Sequence, residues 1–312
     1  MKFSKYIFFL FSVVALISCN KDFSYDVESI SIDVESLDLV VDQRTILHAE
    51  VSPEWALDHT YNWSSSENSV VRVYQDGLAV AISPGKAVVT VTSKDGAKTA
   101  TCEVNVSPFE MEFVDLGLSV KWAKCNLGAT KETEFGDYLA WGELTPYYEP
   151  GQGEYSIPAP QWKSGKEAGY SQSCYKFSDD EVMTKYTKSG EILELEDDAA
   201  HAKYGGHVRM PTYKEWKELY SNCKMDYMTY DGIKGISFCS DINKERIFIP
   251  EAGFREGTRY QNYPYILNYW SSTLANASYL SGLSIQIKDY QWETFFTYNK
   301  RWYGMPIRPV SD

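Results

Sequence analysis

Histidine is scarce in this sequence, four in 312 residues, and no His-Glu-x-x-His is present. His201 and His207 flank the loop before Arg209, but a pair six apart has no metal-ligand spacing. The chain also lacks a Gly-x-Ser-x-Gly nucleophile elbow, and Gly205-Gly206 reads as a turn and fits no phosphate loop. Basic residues are outnumbered, 30 Lys and Arg against 43 Asp and Glu, for a formal charge of -13. A chain so acidic is repelled by nucleic acid and by anionic headgroups, so neither is expected as a partner. Apolar runs are short: that from Tyr6 to Ile17 falls below the ~20 residues of a membrane-spanning helix. Cysteine is sparse too, with six residues.

What is abundant is aromatic. Phe, Trp and Tyr make up 15% of the chain and tyrosine alone contributes 24 residues, a composition of folded domains rather than of disorder. The length suffices for two domains, each with its own core.

The N-terminus carries Lys2 and Lys5, then the apolar run, then Leu16-Ile17-Ser18-Cys19. A charged start followed by a short apolar run is the layout of a secretory leader. Its end resembles a bacterial lipobox, in which the cysteine becomes the lipidated first residue. The resemblance implies a leader over residues 1–18, lipidation at Cys19, a polar tether over 19–27, and an outer-membrane lipoprotein at the cell surface or, alternatively, on the periplasmic face. The lipid anchor is expected to be its only attachment to the membrane.

From residue 28 to 107, Leu37, Leu39 and Val41 alternate with polar neighbours, as do Leu47, Ala49 and Val51, then Ala87, Val89 and Val91, then Ala100, Cys102, Val104 and Val106. Period-two alternation marks strands with one buried face, and Asp76-Gly77 and Ser83-Pro84-Gly85 supply turns. Asn62-Trp63-Ser64-Ser65-Ser66, Asp76-Gly77-Leu78-Ala79-Val80 and Ala100-Thr101-Cys102-Glu103-Val104 together resemble a group 2 bacterial Ig-like domain. That implies a β-sandwich with Trp63 in its core. Such domains commonly act as spacers.

Ser107-Pro108-Phe109-Glu110 forms a linker too short for wide independent motion. Over residues 111–312 the periodicity weakens, yet two helices are expected. Asp197 or Asp198 can cap one through Ala199, Ala200 and Ala202. Thr212-Tyr213-Lys214-Glu215 fits a capping box ahead of Trp216, Leu219 and Tyr220 at helical spacing. With short strands elsewhere, the class is α+β. Val114-Asp115-Leu116-Gly117-Leu118, Gly136-Asp137-Tyr138-Leu139-Ala140-Trp141-Gly142, Arg209-Met210-Pro211-Thr212, Tyr269-Trp270-Ser271-Ser272-Thr273 and Ile307-Arg308-Pro309-Val310 resemble the Fibrobacter succinogenes major paralogous domain. The stretch from Asp198 to Trp216 is similar, more distantly, to formylglycine-generating enzymes, which implies a C-type-lectin-like fold. The expected architecture is therefore an all-β Ig-like sandwich followed by an α+β C-type-lectin-like domain.

That resemblance gives the fold better than the activity. The calcium motifs of sugar-binding lectins are absent: Glu149-Pro150-Gly151 lacks the asparagine and no Trp-Asn-Asp occurs. No counterpart of the formylglycine enzymes' copper-binding cysteine pair follows Cys239. Asp179-Asp180-Glu181 and Asp197-Asp198 are carboxylate clusters, the second explained by helix capping. Cys125, Cys174, Cys223 and Cys239 allow three disulfide pairings or none. No cofactor, metal or catalytic residue is expected.

Asn262 to Tyr303 is rich in Tyr, Trp, Asn, Ser and Arg, the residues of adaptable binding surfaces. Within it Tyr290, Trp292, Tyr298, Asn299, Arg301 and Trp302 are the candidate ligand-binding residues. Tyr269 and Trp270 are expected in the core. The function expected is a surface-anchored adhesion lipoprotein presenting a lectin-like head on an Ig-like spacer, with a glycan or a surface protein as ligand. A second reading is a structural accessory or capping subunit of a surface assembly. A third, an enzyme of formylglycine-generating or glycosidase type, lacks a readable catalytic constellation.

Overall fold

The computed structural model describes residues 25–95, 97–144, 172, 175–180, 182–256, 259–261, 266–275, 283–286 and 299–312. Among the described residues no helix is long and apolar enough to cross a membrane.

The N-terminal unit contains β1 (Ser29–Ile32), β2 (Ser36–Val40), β3 (Arg44–Ile46), β4 (Ala49–Ser52), β5 (Tyr61–Ser65), β6 (Val71–Val73), β7 (Leu78–Ala81), β8 (Gly85–Ser93) and β9 (Thr99–Ser107). One sheet has the order β2-β9-β8-β5, a second β3-β7-β6, and β1 pairs with β4. In β9 every second residue from Cys102 to Val106 is buried, as the alternation requires. Across the antiparallel pair Val89 faces Cys102 and Ala87 faces Val104. Trp63, 4% exposed, lies opposite Val91 and packs among these aliphatics. This is the sandwich expected from the sequence. Leu47 is a small departure: it lies between β3 and β4 and is buried all the same.

Gly77 closes the β6–β7 hairpin with φ at 86°. A Cβ there would lie 2.2 Å from the Leu47 carbonyl oxygen, which accepts no substitute for a hydrogen at that position. The Leu47 amide in turn donates to the Gly77 carbonyl at 2.9 Å.

The C-terminal unit contains β10 (Phe113–Val114), β11 (Lys121–Ala123), β12 (Ser178–Asp179), β13 (Val182–Met183), α1 (Ala199–Tyr204), β14 (Val208–Arg209), α2 (Tyr213–Asn222), β15 (Cys223–Tyr230), β16 (Ile233–Ser240), β17 (Arg246–Pro250), β18 (Phe254–Glu256), β19 (Arg259–Gln261), β20 (Ile266–Tyr269), β21 (Leu283–Gln286) and β22 (Val310–Ser311). A sheet of order β10-β11-β22-β14 places the last strand of the chain between strands from the start and middle of the unit. Strands β15, β16 and β17 form an antiparallel meander, and β12–β13, β18–β19 and β20–β21 are small pairs. Ile285 falls in β21, while Ile287 lies outside the described residues.

Both helices begin where the capping chemistry puts them. The Asp198 side chain, the first helix's cap, accepts from the amides of Ala200 and His201 and from Met210 as well. In α2 Thr212 Oγ1 accepts from the Glu215 amide and Glu215 Oε2 accepts from the Thr212 amide at 2.7 Å, the reciprocal pair of a capping box. Trp216 and Leu219 on the inner face meet Trp122, whose ring centre is 4.7 Å from that of Trp216. The buried Arg308 donates to the carbonyls of Ala123, Lys124 and Phe248 and so ties β11 to β17.

Among the described residues two ion pairs join the units. Arg44 reaches Asp137 at 2.6 Å, and Lys203 reaches Asp42 at 2.6 Å. With the short connection after Ser107, they bring the β2–β3 turn and β3 against α1 and the Gly136–Asp137 turn.

Candidate ligand-binding face

The segment expected to carry the binding face splits in two. Tyr290, Trp292 and Tyr298 lie outside the described residues. Asn299 is half-buried, whereas Arg301 and Trp302 are 0% and 8% exposed. The sequence expectation of Arg301 and Trp302 as contact groups is therefore corrected. Trp302 packs in a core with Trp141, Tyr186, Trp270 and Met305. The Arg301 guanidinium donates to the carbonyls of Lys185 and Tyr186, at 3.2 and 2.7 Å, and lies over the Trp141 ring. Burial lowers its pKa, an effect opposed by neighbouring Tyr175. Lone charged residues among aromatics read in sequence as interruptions of a core, but a buried arginine is tolerated wherever carbonyls receive its donors.

Tyr269 and Trp270 are buried, as expected. Trp270 Nε1 donates to the Leu139 carbonyl at 2.6 Å, and the Tyr269 hydroxyl donates to that of Pro250 at 2.9 Å.

Immediately after Trp302 the described residues hold an aromatic shelf, Phe254 and Tyr303, both half-buried and packed along one side against the core that contains Trp302. Arg255 and Gly304 exchange both backbone hydrogen bonds, at 2.8 and 2.9 Å. Because side chains alternate along a strand, Arg255 points inward, 3% exposed, and its neighbours Phe254 and Glu256 point the other way. The guanidinium of Arg255 lies against the edge-to-face pair of Tyr138 and Tyr260, 5.3 and 5.5 Å from their ring centres. A Cβ on Gly304 would come within 3.3 Å of both Arg255 and Tyr138 Cβ atoms, so glycine allows this close pairing. The half-buried Phe254 stacks on Tyr303 with ring centres 5.5 Å apart and planes 23° from parallel. The Tyr303 hydroxyl donates to Glu256 Oε1 at 2.7 Å. Lys300, exposed, holds its ammonium 5.7 Å from the Tyr303 ring and 5.6 Å from that of Trp302. Two stacked, half-buried rings with a carboxylate and an ammonium at their edge can stack on a flat apolar ring face and exchange hydrogen bonds with its polar rim. Glu256 lies 47 residues before Tyr303 in sequence, and the Arg255–Gly304 bridge brings the two together.

A second cluster looks like a metal site and is used otherwise. Among the described residues Glu194, Glu196 and Asp197 place carboxylate oxygens within 4.8 Å of one another. Lys185 Nζ occupies their centre, 2.6, 3.1 and 2.7 Å from them, and Lys176 reaches Asp197 at 2.8 Å. Tyr186 also donates to Asp197 at 2.7 Å. Burial alone would raise the Asp197 carboxyl, but the hydrogen bonds from Lys176, Lys185 and Tyr186 outweigh it and hold the group below its ordinary value. Hydrogen bonding to Asp197 raises the Lys185 ammonium's pKa. The cluster braces the turn before α1.

His201 Nδ1 lies 3.2 Å from the Val208 carbonyl and links the helix to β14. Cys102, Cys125, Cys223 and Cys239 are free thiols, and Cys174 lies outside the described residues. Burial pushes Cys125 and Cys223 up to about 11, which keeps both as unreactive thiols at neutral pH.

Residues 26–104 match the bacterial Ig-like domain (group 2) family, and the chain carries such a domain. An alpha-L-arabinofuranosidase of Bifidobacterium longum subsp. longum is 34% identical over 76 residues, 24% of this chain and 7% of that protein. An uncharacterized protein of Clostridium acetobutylicum is 38% identical over 69 residues, 22% of this chain and 17% of its own length. Each match thus spans a small part of the relative. Among solved structures, domains 4 and 5 of the S-layer protein SbsC align at 20% identity and a TM-score of 0.22, covering 26% of this chain and 51% of that one. A bacterial Ig-like-domain-containing GH10 xylanase from termite gut aligns at 18% identity and a TM-score of 0.20, covering 25% and 19%.

Proposed function

We propose that this protein is a surface lipoprotein that binds a ligand: Cys19 carries the lipid, the Ig-like domain is the spacer, and a C-type-lectin-like head presents the binding face. The observation that carries the reading is the Phe254–Tyr303 stack with Glu256 and Lys300 at its edge. Aromatic platforms edged by hydrogen-bonding groups suit a saccharide ring or an exposed protein side chain. The ion pairs from Asp42 and Arg44 support the spacer role, because a spacer is useful only if it holds its head in a fixed pose. Relatives in which the matched segment makes up a small fraction of a larger protein are consistent with a module that accompanies another function. On this reading the protein is not an enzyme.

The test has two arms. The mature chain is screened on a glycan array and in surface pull-downs, then repeated as Tyr303→Ala and Lys300→Ala with melting temperatures checked. Loss of binding at an unchanged melting temperature supports the shelf. Binding that survives both changes sinks it, and stable co-purification with assembly subunits in place of a ligand favours the accessory role. For the anchor, Cys19→Ser should move the protein from the membrane to the soluble fraction, and a mutant that stays membrane-bound refutes lipid attachment.

A further inference from the structure

We infer that Tyr25, Trp55 and Leu57 of the Ig-like domain form a membrane-contact patch that rests on the zwitterionic phospholipid interface beside the lipid anchor. The inference rests on the reading of Cys19 as lipidated and adds a second, peripheral contact to it.

Trp55, Leu57 and Tyr25 are 55%, 81% and 52% exposed. Scattered apolar exposure is ordinary, but these three share one end of the sandwich. The Leu57 amide donates to the Tyr25 carbonyl at 2.9 Å, so the loop after β4 is stitched to the strand entering the domain. The loop is fixed rather than loose. Pro53 and Ala56 are buried, and the Ala56 amide donates to the Pro53 carbonyl at 3.0 Å. Val27, two residues after Tyr25, is buried and its amide donates to Asp95 at 3.2 Å. With the small residues turned in, Trp55 and Leu57 are held out.

The length of chain before Tyr25 decides what meets them. Tyr25 is the sixth residue after Cys19, and an extended chain covers at most about 3.3–3.6 Å per residue, so Tyr25 stays within roughly 20 Å of the acylated cysteine. A lipidated chain therefore keeps this end of the domain within reach of the bilayer surface, where tryptophan and tyrosine settle at headgroup depth with an apolar neighbour beneath them. Asp26, Glu28 and Glu54, all exposed, border the patch. They disfavour anionic lipid and select a zwitterionic surface. Contact at this end would orient the spacer, and through the ion pairs at its other junction the head, relative to the membrane.

The experiment uses the full acylated chain, extracted and reconstituted into phosphatidylethanolamine–phosphatidylcholine vesicles with brominated acyl chains. The mass of the N-terminal peptide reads the lipidation, and short-range quenching of tryptophan emission reads the patch. Expected is a quenched component in the wild type that is lost in Trp55→Phe and weakened in Leu57→Ser, with membrane attachment retained in both. An acylated protein whose quenching is the same in Trp55→Phe and wild type overturns the patch and leaves the anchor standing. An unmodified Cys19 overturns both.

Discussion

Lys203, in the first helix of the C-terminal unit, places its ammonium 2.6 Å from a carboxylate oxygen of Asp42, at the β2–β3 turn of the Ig-like domain. The contact crosses 161 residues of sequence. Burial raises the Asp42 carboxyl, and Lys203 opposes that rise. Lys203→Met therefore leaves a partly buried carboxylate without its partner. The expected loss is on the order of 1–2 kcal/mol at neutral pH, larger than that of Asp42→Asn. Because the variant's cost lies in the ionised form of Asp42, it should shrink as pH falls and the carboxyl protonates. Denaturant unfolding at neutral and acidic pH reads both effects; a deficit independent of pH would refute the account.

Gly77→Ala should destabilise the Ig-like domain by more than about 1 kcal/mol. Its φ of 86° is strained for any side chain, and the added methyl would strike the Leu47 carbonyl. The expected readout is a lower melting temperature with the spectrum of the C-terminal unit unchanged.

Acid should weaken the C-terminal unit through Glu215 and Asp197. Burial alone would raise the Glu215 carboxyl, but Arg209 and Thr212 outweigh it and lower it below its ordinary value near 4.5. Asp197 is likewise lowered. A carboxyl lowered on folding stabilises the fold above its unfolded pKa, and that stabilisation is lost as pH drops through the folded value. The melting temperature is expected to fall steadily below about pH 4.5. Glu215→Gln should lower it already at neutral pH and flatten the acid limb. An acid limb of unchanged steepness in Glu215→Gln would argue against the assignment.

Trp302 and Tyr303 are adjacent and should behave in opposite ways. Trp302→Ala removes a core ring and should cost about 3–5 kcal/mol of stability. Tyr303→Ala removes one ring of a half-buried stack and should cost about 1 kcal/mol while reducing ligand retention. Paired melting curves decide it. Equal losses would mean that Tyr303 is core as well and that the shelf is no surface.

The sequence by itself determined the elements whose physics is local. Alternation in residues 100–106 sets which side of β9 is buried, the Asp76-Gly77 pair sets a hairpin, and the Thr212-to-Glu215 spacing starts a helix, because each depends on neighbours a few residues apart. Trp63, Tyr269 and Trp270 were expected in the core from the family resemblances rather than from local pattern, and they are buried. Only the tertiary structure decided what the polar and aromatic side chains of the tail are for. Arg301 is buried because the carbonyls of Lys185 and Tyr186, more than a hundred residues away, receive its donors. Glu194, Glu196 and Asp197 are spoken for because Lys185 sits among them. Tyr303 meets Phe254 because the Arg255–Gly304 bridge sets two distant segments side by side. Spacing along a chain fixes which face a residue takes; whether that face meets carbonyls, carboxylates or water is fixed by partners that no local pattern encodes.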